Sequence, residues 1–240
     1  MNHKLAIVFG GSRGIGAACV QALARTGFDV AYTYVVSTPR SEDPAAGARV
    51  KAYAADVSAP EQVAQVFVRA AQDFGSAPAC VVANAGINVP PAPVAQFDPA
   101  QFRKLVEVNL VGAFNVLREA AQRVADGGSI IGLTTSLVRH AAAGLGPYSA
   151  TKAAVECLLR AMAKELAVRK VRVNGVAPGP VDTDLFRAGK TEEAKARSAA
   201  LSPFNRVGGA HEVAAVVSFL ASDAASWVHG QIVQPNGGLI

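Results

Sequence analysis

Residues 4–16 read Lys-Leu-Ala-Ile-Val-Phe-Gly-Gly-Ser-Arg-Gly-Ile-Gly. The run Leu5–Phe9 is short, apolar and β-branched, which predicts a buried strand. The glycines that follow, Gly10, Gly14 and Gly16, form a G-x3-G-x-G pattern, and a helical pattern begins at Gly14. Glycines at a strand-to-helix turn let the backbone approach a pyrophosphate, whose charge then faces a helix N-terminus. A glycine cluster alone is a weak signal, but its place between the first strand and the first helix strengthens it.

Outward from this stretch, short β-branched runs alternate with longer helical patterns to the end of the chain. Strands are expected at Leu5–Phe9, Asp29–Tyr34, Val50–Ala54, Ala79–Ala83, Ser129–Thr134, Val171–Ala177 and Ile232–Gln234. Helices are expected at Gly14–Thr26, Ala59–Phe74, Asp98–Ala125, Pro147–Val168 and Ala210–Ala221. This rhythm predicts an α/β fold with a parallel sheet and helices on both faces. Two regions break it. The Tyr34–Val50 connection holds Pro39, Pro44 and Gly47, leaving little room for a crossover helix. Residues 184–206 are polar and helix-tolerant with isolated Phe186, Leu201 and Phe204, as suits a mobile cover over a site.

The chain has 240 residues, 51% hydrophobic and 17% charged, enough for one large domain (1–240) with a full core. No apolar run reaches the ~18 residues of a membrane span, and the N-terminus is too short for a secretory signal. Cys19, Cys80 and Cys157 are scattered among Ala, Val and Leu; they read as buried, reduced thiols and point to a cytoplasmic setting. The four histidines show no ligand spacing, so no metal site is expected. A net charge of +5 with dispersed basic residues suits an anionic small ligand better than nucleic acid.

Tyr148 and Lys152 stand four residues apart in a helical stretch, so both leave the same face. A phenol is a poor proton donor at neutrality, and a neighbouring ammonium is expected to move its pKa toward the working range. Exposed Tyr and Lys one turn apart would look the same. Asn109 falls on the apolar face marked by Phe102, Val106, Ala113, Leu117 and Ala120, where a carboxamide must find partners. The Tyr148 helix is apolar around nearly its whole circumference, which predicts a partner subunit against its outer side and a homodimer or homotetramer through the Asn109 and Tyr148 helices.

With these motifs in order, the chain resembles the short-chain dehydrogenase/reductases, a family of single-domain Rossmann oxidoreductases, and its 3-oxoacyl-carrier-protein reductase-like members in particular. The resemblance runs from Lys4 to the end. It implies a doubly wound, seven-stranded parallel sheet. It also implies that the loop with Gly10, Ser12, Arg13, Gly14, Ile15 and Gly16 holds the nucleotide, and that Asp56-Val57 meets the adenine. Asn84-Ala85-Gly86 matches the stretch after the fourth strand, and Pro178-Gly179 with Val181 and Thr183 matches the loop at the nicotinamide end. In the same way Tyr148 is implied as the proton donor, Lys152 as its tuning partner and ribose contact, and Asn109 as holder of a water in the proton relay. Phe9, Ala83 and Asn236 depart from the family pattern, where Thr, Asn and Asp are usual.

The resemblance also calls for a hydroxyl at the end of the fifth strand. Thr135 lies thirteen residues before Tyr148, as the family spacing requires, and Ser136 twelve. Ser136 has the less hindered hydroxyl; both stay candidates. For the cofactor, an NAD enzyme places a carboxylate at the end of strand two. Tyr34 stands there, with Arg13, Ser37 and Arg40 nearby, so NADP(H) is expected over NAD(H). The expected function is NADPH-dependent reduction of a ketone, either a 3-oxoacyl thioester or a small or cyclic one. The alternatives are a non-catalytic NADP-binding regulator and a methyltransferase of Rossmann type.

Overall fold

The computed structural model describes residues 3–36, 47–188 and 190–240. The strands are β1 (Lys4–Phe9), β2 (Phe28–Tyr34), β3 (Val50–Ala54), β4 (Pro78–Ala83), β5 (Ser129–Leu133), β6 (Arg172–Val176) and β7 (Ile232–Val233). They form one seven-stranded sheet in the order β3-β2-β1-β4-β5-β6-β7, every pair parallel. The fold is therefore the expected doubly wound Rossmann arrangement. The strand order reverses between β1 and β4, and the crevice at their carboxyl ends is where such sheets bind ligands.

The helices are α1 (Gly14–Arg25), α2 (Pro60–Phe74), α3 (Pro99–Leu105), α4 (Gly112–Arg123), α5 (Gly146–Glu165), α6 (Asp184–Arg187), α7 (Glu192–Ala200) and α8 (Ala210–Ala221). Two apolar layers cover the sheet. One joins Ile7, Val81 and Ile130 to Phe67, Val116 and Leu159 of α2, α4 and α5. The other joins Val8, Val82 and Ile131 to Leu23 of α1 and Val217 of α8. Alternation along buried strands feeds both layers, which is why the strands read as continuous apolar runs. Helix limits follow local chemistry: Pro60 opens α2, Gly75 closes it at φ 73, and Asp98 caps α3 by accepting from Ala100 N.

Two expectations need correction. The helix expected over Asp98–Ala125 is divided: Val106–Val111 forms a wide π turn between α3 and α4, and Asn109 sits within it. Sequence periodicity cannot show this insertion, because the apolar face resumes on the far side. Cys157 is exposed, with a guanidinium nitrogen of Arg160 3.4 Å from its sulfur; only Cys19 and Cys80 are buried. The reason is its place on the outer face of α5, where Ala150 and Ala161 are also exposed. Within the chain the sheet takes one side of α5, and Ala150, Cys157 and Ala161 on the other side are exposed. No helix among the described residues is long and apolar enough to cross a membrane.

The amino edge of the sheet carries an ionic clamp. Asp29 accepts from Arg49 N (2.8 Å) and Arg49 Nε (2.8 Å), and His3 Nδ1 lies 3.2 Å away. The carboxylate is 3% exposed, yet shallow, because the half-exposed Arg49 and His3 side chains are what cover it. Burial alone would raise its pKa, but the backbone and guanidinium hydrogen bonds of Arg49 and the His3 contact outweigh burial and hold it below the ordinary carboxyl value. A depressed folded pKa gives stability that is complete above the unfolded value of ~3.9 and is lost as pH falls through the folded one. Asp29→Ala should therefore lose about 2 kcal/mol at pH 7, and thermal melts should show its deficit shrinking below about pH 4. A deficit that is the same at pH 7 and pH 3 would contradict the clamp.

Candidate active site

The glycine loop is fixed by steric necessity. Gly10 and Gly14 adopt φ 78 and φ 56, and a Cβ on Gly16 would stand 2.0 Å from the Gly10 carbonyl oxygen. Only glycine permits either. Gly11 is equally constrained, since its Cβ would meet Tyr32 Cβ at 2.5 Å; the G-x3-G-x-G reading passed over it. Asn84 at the end of β4 donates to the Gly10 carbonyl at 2.8 Å, tying the loop to the neighbouring strand. The hydrogen bond that Phe9 cannot supply is replaced from β2: Gly10 N donates to Thr33 Oγ1 (2.9 Å) and Gly11 N to Thr33 O (2.9 Å). Sequence reasoning missed Thr33, whose alternation position is the only signal. This bare, close-packed cradle at the start of α1 fits a dinucleotide pyrophosphate.

The remaining cofactor candidates surround the cradle unevenly. A Cβ on Gly14 would lie 3.4 Å from Thr183 Cγ2, so the Pro178–Thr183 loop reaches over the turn; there Val181 pairs with Gly208, and Thr183 caps α6. Ser12 and Ile15 are half-buried beside an exposed Arg13 whose side chain makes no hydrogen bond or ion pair among the described residues. Tyr34 ends β2; Ser37 and Arg40 lie outside the described residues. Asp56 Oδ1 accepts from Ser58 N (2.9 Å) and Ser58 Oγ (2.7 Å), which orients the carboxylate at the mouth of α2, and Val57 packs under Gly112.

The acid–base candidates converge a few ångströms further along. A Cβ placed on Gly86 would stand 3.2 Å from Asn109 Oδ1 and 3.3 Å from Lys152 Nζ, so the end of β4, the π turn and α5 meet there. Asn109 is fully buried and fully partnered: Oδ1 accepts from Ile87 N at 2.8 Å, and Nδ2 donates to Ile87 O at 3.0 Å and Thr151 Oγ1 at 3.3 Å. Lys152, 5% exposed, donates to the Leu133 carbonyl at 3.0 Å. The Ile87 and Leu133 backbone groups carry no side-chain signature and could not be read from sequence.

The electrostatics depart from the expected tuning. Part of Tyr148 reaches solvent, but its phenol is enclosed by protein, and that burial pushes its pKa up to about 12. Burial likewise pushes Lys152 down to about 8. In the protein alone desolvation outweighs the attraction between the two groups. The phenol is thus held protonated at neutrality, the state a proton donor requires, and its oxygen makes no hydrogen bond among the described residues.

At the end of β5, Ser136 is 1% exposed and donates to Ala177 O at 2.8 Å, whereas Thr135 accepts from Leu137 N at 3.3 Å. No group of three metal-ligating side chains occurs among the described residues.

A parallel sheet with this switch point, a glycine cradle and a Tyr-x3-Lys pair on α5 defines a dinucleotide-dependent oxidoreductase. The family profile described as "Enoyl-(Acyl carrier protein) reductase" matches residues 10–240, and the chain belongs to the short-chain dehydrogenase/reductase family. It is 41% identical to a short-chain type dehydrogenase/reductase of Picea abies over 100% of this chain and 93% of that protein. It is 39% identical to the NADPH-dependent aldehyde reductase-like protein, chloroplastic, of Arabidopsis thaliana, covering 99% of this chain and 94% of that one. A short-chain dehydrogenase from Burkholderia cenocepacia, solved in complex with NADP, superposes with a TM-score of 0.90 at 32% identity, over 98% of this chain and 97% of that one.

Gly16→Ala tests the cradle: NADPH affinity, read by its fluorescence on binding, should fall at least about tenfold, and an unchanged Kd would remove the pyrophosphate from this loop.

Proposed function

We propose that the protein is an NADPH-dependent reductase of aldehydes and ketones in which Tyr148 donates the proton. The observation that carries this is the convergence of Asn109 and Lys152 on Gly86, with the Tyr148 hydroxyl, which has no hydrogen-bond partner among the described residues, one helical turn before Lys152. The NADPH and NADP named for the Arabidopsis and Burkholderia relatives support the cofactor. So do Tyr34 in place of an acid at the end of β2 and the Arg13 side chain, which has no partner among the described residues and suits a 2′-phosphate.

When bound, NADPH supplies the hydride. Gly10, Ser12, Gly14, Ile15 and Gly16 would hold its phosphates, with Arg13, Tyr34 and Ser37 at the 2′-phosphate and Asp56 with Val57 at the adenine. Asn84, Ala85 and Gly86 would line the crevice floor, and Pro178, Gly179, Val181 and Thr183 would flank the nicotinamide end. The chain's own part is the proton. Tyr148 releases it to the oxygen that becomes the alcohol, and the Lys152 ammonium, steadied by Leu133 O, stabilises the phenolate left behind. Asn109 fixes Ile87 and Thr151 and so orders the route by which the proton is replaced.

Strand alternation bears on the substrate hydroxyl. Gly132 packs on Leu159 and Thr134 on Glu156, both of α5, while Ile131 and Leu133 face α1 and α8. Thr135 is still extended, at φ −160, so Ser136 falls on the α5 side with Tyr148. This supports Ser136 as the group that orients the carbonyl.

The substrate is a free carbonyl compound in this reading, in keeping with the aldehyde reductase name of one relative. In this reading α6 and α7, within the segment 184–206, cover the substrate. Its stem is closed by the Val181–Gly208 bridge and by ion pairs Arg187–Asp182 (2.7 Å) and Arg206–Glu212 (2.7 Å).

Turnover followed at 340 nm should give kcat/KM at least about tenfold higher with NADPH than with NADH, and higher with free aldehydes and ketones than with acetoacetyl thioesters. Tyr148→Phe should cost at least about a hundredfold in kcat, and Ser136→Ala clearly more than Thr135→Ala. Equal use of NADH, or an active Tyr148→Phe, defeats the reading. NADPH binding with no turnover of any carbonyl would favour a regulator.

The outer side of α5 and the half-exposed Phe102 and Phe114 beside it form an apolar face that a second copy of the chain would cover. Sedimentation at micromolar concentration should therefore show a dimer or tetramer, and a monomer there contradicts this.

A further inference from the structure

Glu156 has no part in the proton transfer described above, yet it lies 3% exposed in the seam between α5 and the sheet. Its Oε1 accepts a hydrogen bond from Thr134 Oγ1 at 3.2 Å, and its Oε2 lies 3.3 Å from Arg160, which is half-exposed. The seam is tightly packed: a Cβ on Gly132 or Gly175 would meet Leu159 at 2.7 Å or 3.3 Å. A carboxylate in such a place is poor material for stability, since an apolar side chain of similar size generally packs there at no loss. What it touches is more telling. Thr134 follows Leu133, whose carbonyl holds Lys152, and precedes Thr135 and Ser136. The same four residues are fixed on their other side by β6, through Thr134 N to Val176 O (2.8 Å) and Ser136 N to Pro178 O (2.9 Å).

We propose that Glu156 is a positioning residue for the reduction, fastening the end of β5 to α5 so that the Lys152 anchor and the Ser136 hydroxyl stay in register with Tyr148. It also places a fixed negative charge one helical turn beyond Lys152. Tyr148, Lys152, Glu156 and Arg160 recur every four residues along one side of α5. Among the described residues Arg160 is the cation paired with this charge, and the other ionisable groups of the neighbouring elements are turned away from it. The α5-facing residues of β6 are the apolar Val173 and Gly175, with Ala177 just beyond the strand, and Arg172 turns to the end of α8. From α4, Glu119 shares the α2 side with Asn115 and is paired with Arg123 at 2.7 Å. Arg103, Lys104 and Glu107, from α3 and the π turn, and Arg139, beyond Ser136, are exposed. On α5 itself, Cys157 and Lys164 are exposed too.

This rests on the Tyr148–Lys152 reading, and the test separates the two. Lys152→Met must abolish turnover; if it does not, that reading fails first. With Lys152 established, Glu156→Gln keeps the shape and removes the charge. Loss of a negative charge lowers the pKa of an ammonium and of a phenol alike, so the alkaline limb of kcat/KM should move down by about half a pH unit whichever proton it reports. The pH dependence of NADPH binding should move with it, and kcat should fall severalfold at unchanged KM. Glu156→Asp keeps the charge and should leave the limb where the wild type has it. Should Glu156→Gln not fold, Thr134→Val decides: kcat should fall severalfold with KM and the limb unmoved. A limb that coincides in Glu156→Gln and wild type, equal shifts in Gln and Asp variants, or a wild-type kcat in Thr134→Val overturns the proposal.

Discussion

The hydrogen bond from Asn84 to the Gly10 carbonyl is the constraint on which the site depends. It crosses the one place where the strand order reverses, and it brings the turn after β1 so near the end of β4 that Gly16 has no room for a side chain. A chain that must leave this cleft open at its carboxyl edge can bring groups to it only from strand ends and from helices that start there. That is what the sequence does: β4 delivers Asn84 and Gly86, β5 delivers Leu133 O and Ser136, and α5 delivers Tyr148 and Lys152. The polar groups at the cleft are held chiefly by backbone, through Ile87, Leu133, Ala177 and Pro178. Side chains held by main-chain atoms of a packed sheet have little freedom to reorganise, the condition for electrostatic preorganisation.

The division of charge at the cleft follows from burial. A dry pocket disfavours both phenolate and ammonium, so the isolated pair sits with Tyr148 protonated and Lys152 only weakly committed to its charge. In the proposed mechanism the work of the ammonium comes when negative charge develops on the phenol oxygen. Its attraction grows in the same low-dielectric surroundings that made it costly to install.

Much of this was legible in the sequence. Each expected strand overlaps an observed one, because runs such as Leu5–Phe9 and Cys80–Ala83 are apolar on both faces of a parallel sheet and bounded by turn residues. Gly10, Gly14, Tyr148 and Lys152 could be singled out because their chemistry demands particular residue types at fixed spacing. Three things stayed hidden for physical reasons. The π turn around Asn109 inserts one residue into a helix without disturbing the apolar stripe on either side. Thr33 looks like any β-branched residue of a strand until its hydroxyl is found under Gly10 N. The expectation that Lys152 would lower the Tyr148 pKa considered the pair alone, and desolvation depends on packing from β4, β5 and the π turn, which no local spacing records.

The Asp29 clamp gives the molecule a polarity of vulnerability. β2 is fastened at its amino end by an ion pair under a thin cover and at its carboxyl end by neutral hydrogen bonds to the glycine loop. Acid acts on the first and leaves the second alone. Acidification below about pH 4 would therefore fray the sheet from the edge remote from the chemistry, and the cleft would be among the last parts of the fold to lose its shape.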